Sequence, residues 1–286
     1  MSDLASHLRD YLGMRRALGF KLRREGTELP QLVAYVEAAG SATVTTDLAM
    51  AWARLPDGVH PVTWAHRLGM ARGFAAYLRT IDPATEVPPH GVFPASAPRR
   101  APYLWSGPDI ARLMEAARQL SPPLRAATHE ALFGLVAVTG MRLGEAIGLG
   151  RDDVDLVAGV LTVGEPKGGR VRLLPLHPSS TEALRNYAGR RDRLCPSPRS
   201  ATFFLSSVGT ALLPGGVHRT FNLLTTAMGL RTATVRPRIH DLRHSFAVAT
   251  LVDWHRRGAD VEGRMAVLST YLGHVNPTKG SQTVFG

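Results

Sequence analysis

What this chain lacks narrows it first. Its 286 residues include one cysteine, Cys195, which excludes a disulfide framework and a cysteine metal cage. No unbroken apolar run reaches the ~20 residues of a membrane span. The opening Met1-Ser-Asp-Leu-Ala lacks the basic-then-apolar pattern of a secretion signal. The expectation is a soluble, cytoplasmic protein with no membrane partner. Lysine is scarce: Lys21, Lys167 and Lys279 are the only ones among 34 basic residues, the rest being arginine. Acidic residues number 23, leaving a formal net charge of +11. That excess points to a polyanionic partner, most simply nucleic acid. What is present is core material: 44% hydrophobic residues, too many for a wholly disordered chain.

Helical spacing dominates residues 1–87. Leu4, Leu8, Tyr11 and Leu12 share one face, and Leu32, Tyr35, Val36 and Ala39 repeat the pattern. Thr46 reads as the N-cap of a third helix through Trp52. Val62 to Leu78 carries Trp64, Leu68, Ala71 and Phe74 on one stripe. Four helices in so short a stretch predict a small bundle. Arg15, Arg16, Lys21, Arg23 and Arg24 gather around the turn after the first helix, either as a solvated helix end or as a phosphate-contacting patch. Residues 88–104 change character: Pro88, Pro89, Gly91, Pro94 and Pro98 precede Arg99-Arg100. This is linker chemistry, and the two arginines are placed to follow a phosphate backbone if the linker crosses one.

Residues 105–286 read as a second domain, mainly α with a small β-sheet. Ser106-Gly-Pro-Asp is a cap-then-proline helix start. A longer helix from Pro123 is cut at Thr139-Gly140, and Met141-Arg-Leu-Gly-Glu145 opens a short one ending near Gly148. Val160–Val163 and Val171–Leu174 predict strands joined by a hairpin loop that carries Lys167. Helices are expected over 178–193 and 217–228, with a short strand at Thr202–Leu205 between them. Then comes Arg238-Ile-His-Asp-Leu-Arg-His-Ser-Phe-Ala247, which runs into an apolar helix through Trp254. A further segment, Met265–Leu272, leads to Gly273-His274.

The basic residues at these joints define a chemistry. Arg142 and Arg243 stand at helix starts, where unpaired backbone N–H groups already favour anions. Lys167 is at a hairpin tip, and His240 and His274 are able to trade protons near neutral pH. Converging, such groups would bind a phosphate, stabilise added negative charge and protonate a leaving oxygen. Asp152, Asp153 and Asp155 read as a solvated turn rather than a Mg²⁺ site. The implied reaction is metal-free phosphoryl transfer on a diester, with no cofactor. A zinc site on His240, His244 and His274 is a rival reading, disfavoured by Arg243 lying between two of the three.

Together, Thr139-Gly-Met-Arg-Leu-Gly-Glu-Ala-Ile-Gly-Leu149, the hairpin Lys167, His240-Asp-Leu-Arg243-His-Ser-Phe and Leu272-Gly-His274 resemble the tyrosine recombinases (phage-integrase family). The resemblance extends over nearly the whole chain. It implies an N-terminal helical core-binding domain over 1–87 and a catalytic domain over 105–286. It implies a double-stranded DNA partner, a homo-oligomer on DNA, and strand cleavage and rejoining through a phosphotyrosyl link in the service of a mobile element. By resemblance, Arg142 and Arg243 clamp the scissile phosphate, Lys167 is general acid for the leaving 5′-oxygen, His240 assists proton transfer, His274 binds phosphate and Glu145 supports Arg142.

One family element has no match. The nucleophilic tyrosine is expected about nine residues beyond the last histidine, where this chain has Thr283. From Val275 to Gly286 there is no tyrosine, and the last one is Tyr271. The expectation is a truncation or frameshift that leaves a DNA-binding protein with impaired catalysis. Thr283 and Ser281 are poor substitutes for a phenol, and Tyr271 reads as a packed aromatic. The alternative function is that of a non-catalytic competitor or regulator of a full-length recombinase.

Overall fold

A computed structural model describes residues 3–94, 96, 100–164 and 171–273. The chain divides into two compact units, residues 1–100 and 101–286.

The first unit contains four helices, α1 (Asp3–Ala17), α2 (Arg23–Ala38), α3 (Thr46–Arg54) and α4 (Pro61–Leu78). The α1 stripe read in the sequence, Leu4, Leu8, Tyr11 and Leu12, is the buried one; on α2 Leu32 and Val36 are buried as expected, but Tyr35 is only half-buried and Ala39 is an exposed C-cap, and Leu29 and Val33 complete the buried face instead. They close over Trp52 and Phe74, both fully buried. The α3 cap is one residue earlier than expected. The Thr45 hydroxyl accepts from Leu48 N–H (3.3 Å), while Thr46 is already helical and donates its N–H to the Glu86 carboxylate (2.8 Å). Part of the proline-rich stretch is strapped onto this unit. Arg72 donates to the Pro88 and Pro89 carbonyls at 2.8 and 2.7 Å, and Phe93 is buried against Trp64.

The second unit begins with α5 (Gly107–Arg118), capped by Ser106 and Asp109 in a reciprocal box. It continues through α6 (Pro123–Thr139) and α7 (Leu143–Gly148). After a 3-10 turn at Arg151–Asp153 comes a three-stranded antiparallel sheet in the order β1 (Val154–Asp155), β2 (Val160–Val163), β3 (Arg172–Pro175). Two-residue β1 is too short to show a period in sequence. Helices α8 (Pro178–Leu194), α9 (Pro214–Ala227), α10 (Ile239–Arg256) and α11 (Val261–Tyr271) follow among the described residues. Helix α11 starts earlier than the apolar segment suggested, because Asp260 caps it through Gly263 N–H (2.9 Å).

The expected strand at Thr202–Leu205 is not a ladder strand. Single bridges Gly150–Thr202 and Leu205–Ala211 flank Phe203 and Phe204, which are both buried rather than alternating. Side chains take over the polar groups that a ladder would satisfy: Leu205 N–H donates to the Tyr187 hydroxyl (3.2 Å), and its carbonyl accepts from Thr128 (3.0 Å). The core of the unit joins Phe133, Phe204, Phe221, Leu132, Leu161 and Leu174, linking α6, the sheet and α9.

Candidate active site

Three helix boundaries build the site. Helix α6 ends at Gly140 in the left-handed region (φ 62°), and this turns the chain so that Arg142 becomes the N-cap of α7. The Glu145 carboxylate accepts Arg142 N–H at 2.8 Å and pairs with its guanidinium at 2.9 Å. Helix α10 opens in the same way. Asp241, itself buried, accepts Arg238 N–H at 2.8 Å and pairs with the Arg238 side chain at 2.9 Å. An acid at the third helical position therefore caps each helix that carries a candidate arginine. Helix α11 ends in Leu272 and then Gly273 (φ 70°).

At that end three arginines from three elements meet three successive carbonyls. Arg172 Nε donates to Tyr271 O (2.9 Å), Arg243 to Leu272 O (2.8 Å) and Arg142 to Gly273 O (2.9 Å). Arg243 also reaches Gly140 O at 2.7 Å, tying the α6 turn to the α11 end. The space is tight: a β-carbon on Gly273 would lie 2.7 Å from the Arg172 guanidinium.

Burial separates the two candidate phosphate ligands. Arg243 is 4% exposed, and burial, then repulsion from Arg142, lowers its pKa to about 10, Glu145 opposing. It remains a cation at neutral pH. The Arg142 side chain is 44% exposed and open to a ligand. Burial pushes Glu145 upward, but hydrogen bonds from Arg172, from Arg142 N–H and from the Arg142 side chain outweigh it and hold Glu145 below the usual carboxylate range. His240 sits on the first turn of α10, three residues before Arg243. Its surface is open to solvent, yet desolvation by adjacent protein atoms, followed by Arg243, lowers its pKa. His244 is lowered as well, by burial.

The structure thus brings together Arg142, Arg243 and Glu145, with His240 beside them. Lys167, His274, Thr283 and Arg99 lie outside the described residues. Tyr271 stacks on Phe246 (centroids 5.8 Å apart), and burial raises its hydroxyl pKa. Among the described residues no group of three or more His, Cys, Asp or Glu is arranged to hold a metal ion. In the first unit Arg16, Lys21, Arg23 and Arg24 are exposed; Arg15 is stacked on Phe20 (3.9 Å), and Arg24 pairs with Glu28. Arg100 is exposed.

Sequence reasoning missed Arg172, which divides its guanidinium between the Glu145 carboxylate (2.8 and 3.3 Å) and Tyr271 O. The available signal was strand alternation, which places residue 172 on the same inward face as Leu174.

The second unit is thus a helical domain with a small antiparallel sheet, in which arginines from α10, β3 and the start of α7 meet at the end of α11. Residues 106–279 match the phage integrase family. The chain is 44% identical to the integrase/recombinase y4rB of Sinorhizobium fredii, over 96% of this chain and 90% of that one. It is 26% identical to the tyrosine recombinase XerC of Pseudomonas aeruginosa, over 96% and 87%. Among solved structures, a lambda integrase dimer bound to a COC′ core site superposes with a TM-score of 0.65 at 20% identity, covering 98% of this chain and 76% of that one. The Tn1549 transposon integrase in complex with transposon right end DNA gives 0.65 at 17%, covering 98% and 94%. The chain belongs to the phage integrase family, the tyrosine recombinases.

Among the described residues no helix is long and apolar enough to cross a membrane.

Proposed function

We propose that this protein binds duplex DNA in the cytoplasm as a site-specific recombinase of the integrase type and holds one phosphodiester between Arg142 and Arg243. The observation that carries the reading is the pairing of a buried, anchored arginine on α10 with a solvent-open one at the start of α7, both reaching the end of α11. A phosphate there meets fixed donors that need little reorganisation when charge develops. Glu145 holds Arg142 in place. His240, neutral at pH 7 by its lowered pKa, is suited to pass a proton, and Lys167 and His274 supply the general acid and a further phosphate contact. Arg15, Arg16, Lys21, Arg23, Arg24, Arg99 and Arg100 contribute sequence-independent phosphate contacts. Assembly of several copies on one DNA fits the dimeric lambda integrase on its core site.

The electrostatic half of the reaction is separable here from the nucleophile. Residues 272–286 contain no tyrosine, and the Tyr271 ring is engaged with Phe246. A polypeptide of these 286 residues therefore binds DNA without forming a 3′-phosphotyrosyl link, and it competes with an intact recombinase for the same sites. Incubation with a nicked suicide substrate followed by denaturing electrophoresis tests this. Binding without a covalent adduct is expected; an adduct sinks the non-covalent reading, and absence of DNA binding sinks the whole proposal. Extending the tail with a tyrosine nine residues past His274 and a following helix is expected to restore adduct formation.

A further inference from the structure

Glu145 poses a problem for the site it supports. A carboxylate 2.9 Å from the Arg142 guanidinium competes with any phosphate for that cation. With Arg142 as its sole partner, it would form a closed pair of little use to a ligand. Arg172 changes this. It reaches inward from β3, is 16% exposed at its side chain, and donates to both Glu145 oxygens, at 2.8 and 3.3 Å. Its remaining direction is fixed by Tyr271 O at 2.9 Å. Its charge is thus spent within the protein, and the Glu145 charge is shared rather than concentrated on Arg142.

We propose that Arg172 is a positioning residue for the phosphate site: it draws the Glu145 carboxylate toward β3, leaves Arg142 available to a phosphate, and fixes the end of α11. The inference rests on the reading of Arg142 and Arg243 as phosphate ligands. It predicts that loss of Arg172 acts on DNA through Glu145. Without Arg172, Glu145 collapses onto Arg142, and the protein loses one effective phosphate contact although Arg142 is still present.

The test uses the full 286-residue chain and a short fluorescent duplex of mixed sequence, with anisotropy titrations at several salt concentrations. Each phosphate contact contributes about 0.9 to the slope of log affinity against log salt. Arg172→Gln is expected to weaken binding about tenfold at low salt, the scale of one charged hydrogen bond, and to lower the slope by about one. The double variant Arg172→Gln/Glu145→Gln is expected to raise the slope again toward the wild-type value, since no carboxylate remains to capture Arg142, while its affinity stays below wild type because Arg142 has lost the contact that holds it in place. A role confined to folding would not be reversed by removing a second charge. An unchanged slope in Arg172→Gln overturns the proposal. So does a double variant whose slope stays low, because Arg172 would then touch the phosphate itself or act only on the fold. If Arg172→Gln fails to fold, Arg172→Lys decides: the retained charge beside Glu145 should preserve the slope, and a lowered slope overturns the idea. Arg142→Gln run in parallel separates the two levels. If it leaves affinity and slope unchanged, the phosphate-site reading itself fails, whatever Arg172 does.

Discussion

Gly140 and Phe246 meet so closely that a β-carbon on Gly140 would lie 2.5 Å from the phenylalanine ring and 3.0 Å from a Leu272 methyl. The glycine also holds φ 62°, a conformation costing an alanine ~1 kcal/mol or more. Gly140→Ala should therefore destabilise the second unit by about 2–4 kcal/mol once crowding is added, lowering its melting temperature by ~5–10 °C. Gly144 on α7 has nothing within 4 Å of its β-carbon position, so Gly144→Ala should stabilise by about 0.5–1 kcal/mol. Circular-dichroism melts of both variants check the contrast, and equal melting temperatures would refute it.

The two candidate phosphate arginines should separate in stability. Arg243→Gln removes donors to Gly140 O and Leu272 O inside the protein and should cost ~2–4 kcal/mol, because orphaned buried carbonyls add to the lost bonds. Arg142→Gln gives up solvent-exposed pairings worth ~1 kcal/mol or less. Both should weaken DNA binding. Urea unfolding beside DNA titration distinguishes them: comparable destabilisation by the two would contradict the division into anchor and open ligand.

His129 predicts an acid sensitivity. It is buried on α6, with Nδ1 2.8 Å from the Arg125 carbonyl and its ring edge-on to Phe133. Burial holds its pKa below the ordinary value. The unfolded chain therefore takes up a proton at a pH where the folded one does not, and stability rises with pH in that window. On acidification, stability should begin to fall near the ordinary histidine value of about 6.5 and continue falling down to the lower folded pKa. His129→Gln should flatten part of this dependence, with His240 and His244 accounting for some of the rest. Melting temperatures between about pH 5 and 8 give the comparison. An unaltered slope would remove His129 from the explanation.

In the first unit Arg67 is buried, lies 3.9 Å over the Trp52 ring, pairs with Glu28 at 3.1 Å and donates to Trp52 O at 3.2 Å. An ammonium cannot stack and fork in this way. Arg67→Lys should destabilise the bundle by about 1–3 kcal/mol, detected as an earlier urea midpoint in tryptophan fluorescence. A midpoint equal to wild type would show that charge alone suffices at this position.

How much of this was legible in sequence depends on where the physical signal resides. Arg142 and Arg243 stood out because glycine and capping chemistry mark helix starts; the structure places Arg142 at the N-cap of α7, whereas Arg243 is the fifth residue of α10, just past its first turn. The buried stripe of α1 was legible because helical spacing repeats over several turns, whereas on α2 only Leu32 and Val36 were, the apolar pattern running on into the exposed C-cap Ala39. Arg172 was not, because Val171, Leu173 and Leu174 surround it with apolar residues. The apolar Val171 and Leu173 are the exposed ones, whereas the charged residue turns inward, so the pattern of polarity runs opposite to burial. Phe203 and Phe204 misled for a related reason: two consecutive buried aromatics look like strand material, although side-chain hydroxyls satisfy the neighbouring backbone. The α3 cap differed because two adjacent threonines offer equivalent chemistry, and Glu86, forty residues away in sequence, claims the N–H of the second.

The acceptors at the end of α11 are main-chain oxygens, and this has a consequence for how the chain tolerates sequence drift. Side chains at 271 and 272 can change without deleting any of the three arginine contacts, because every residue carries a carbonyl. The anchor reads the path of the backbone and is blind to much of its lettering. Gly273 is a position where the lettering does matter, since a side chain there would enter the space of Arg172.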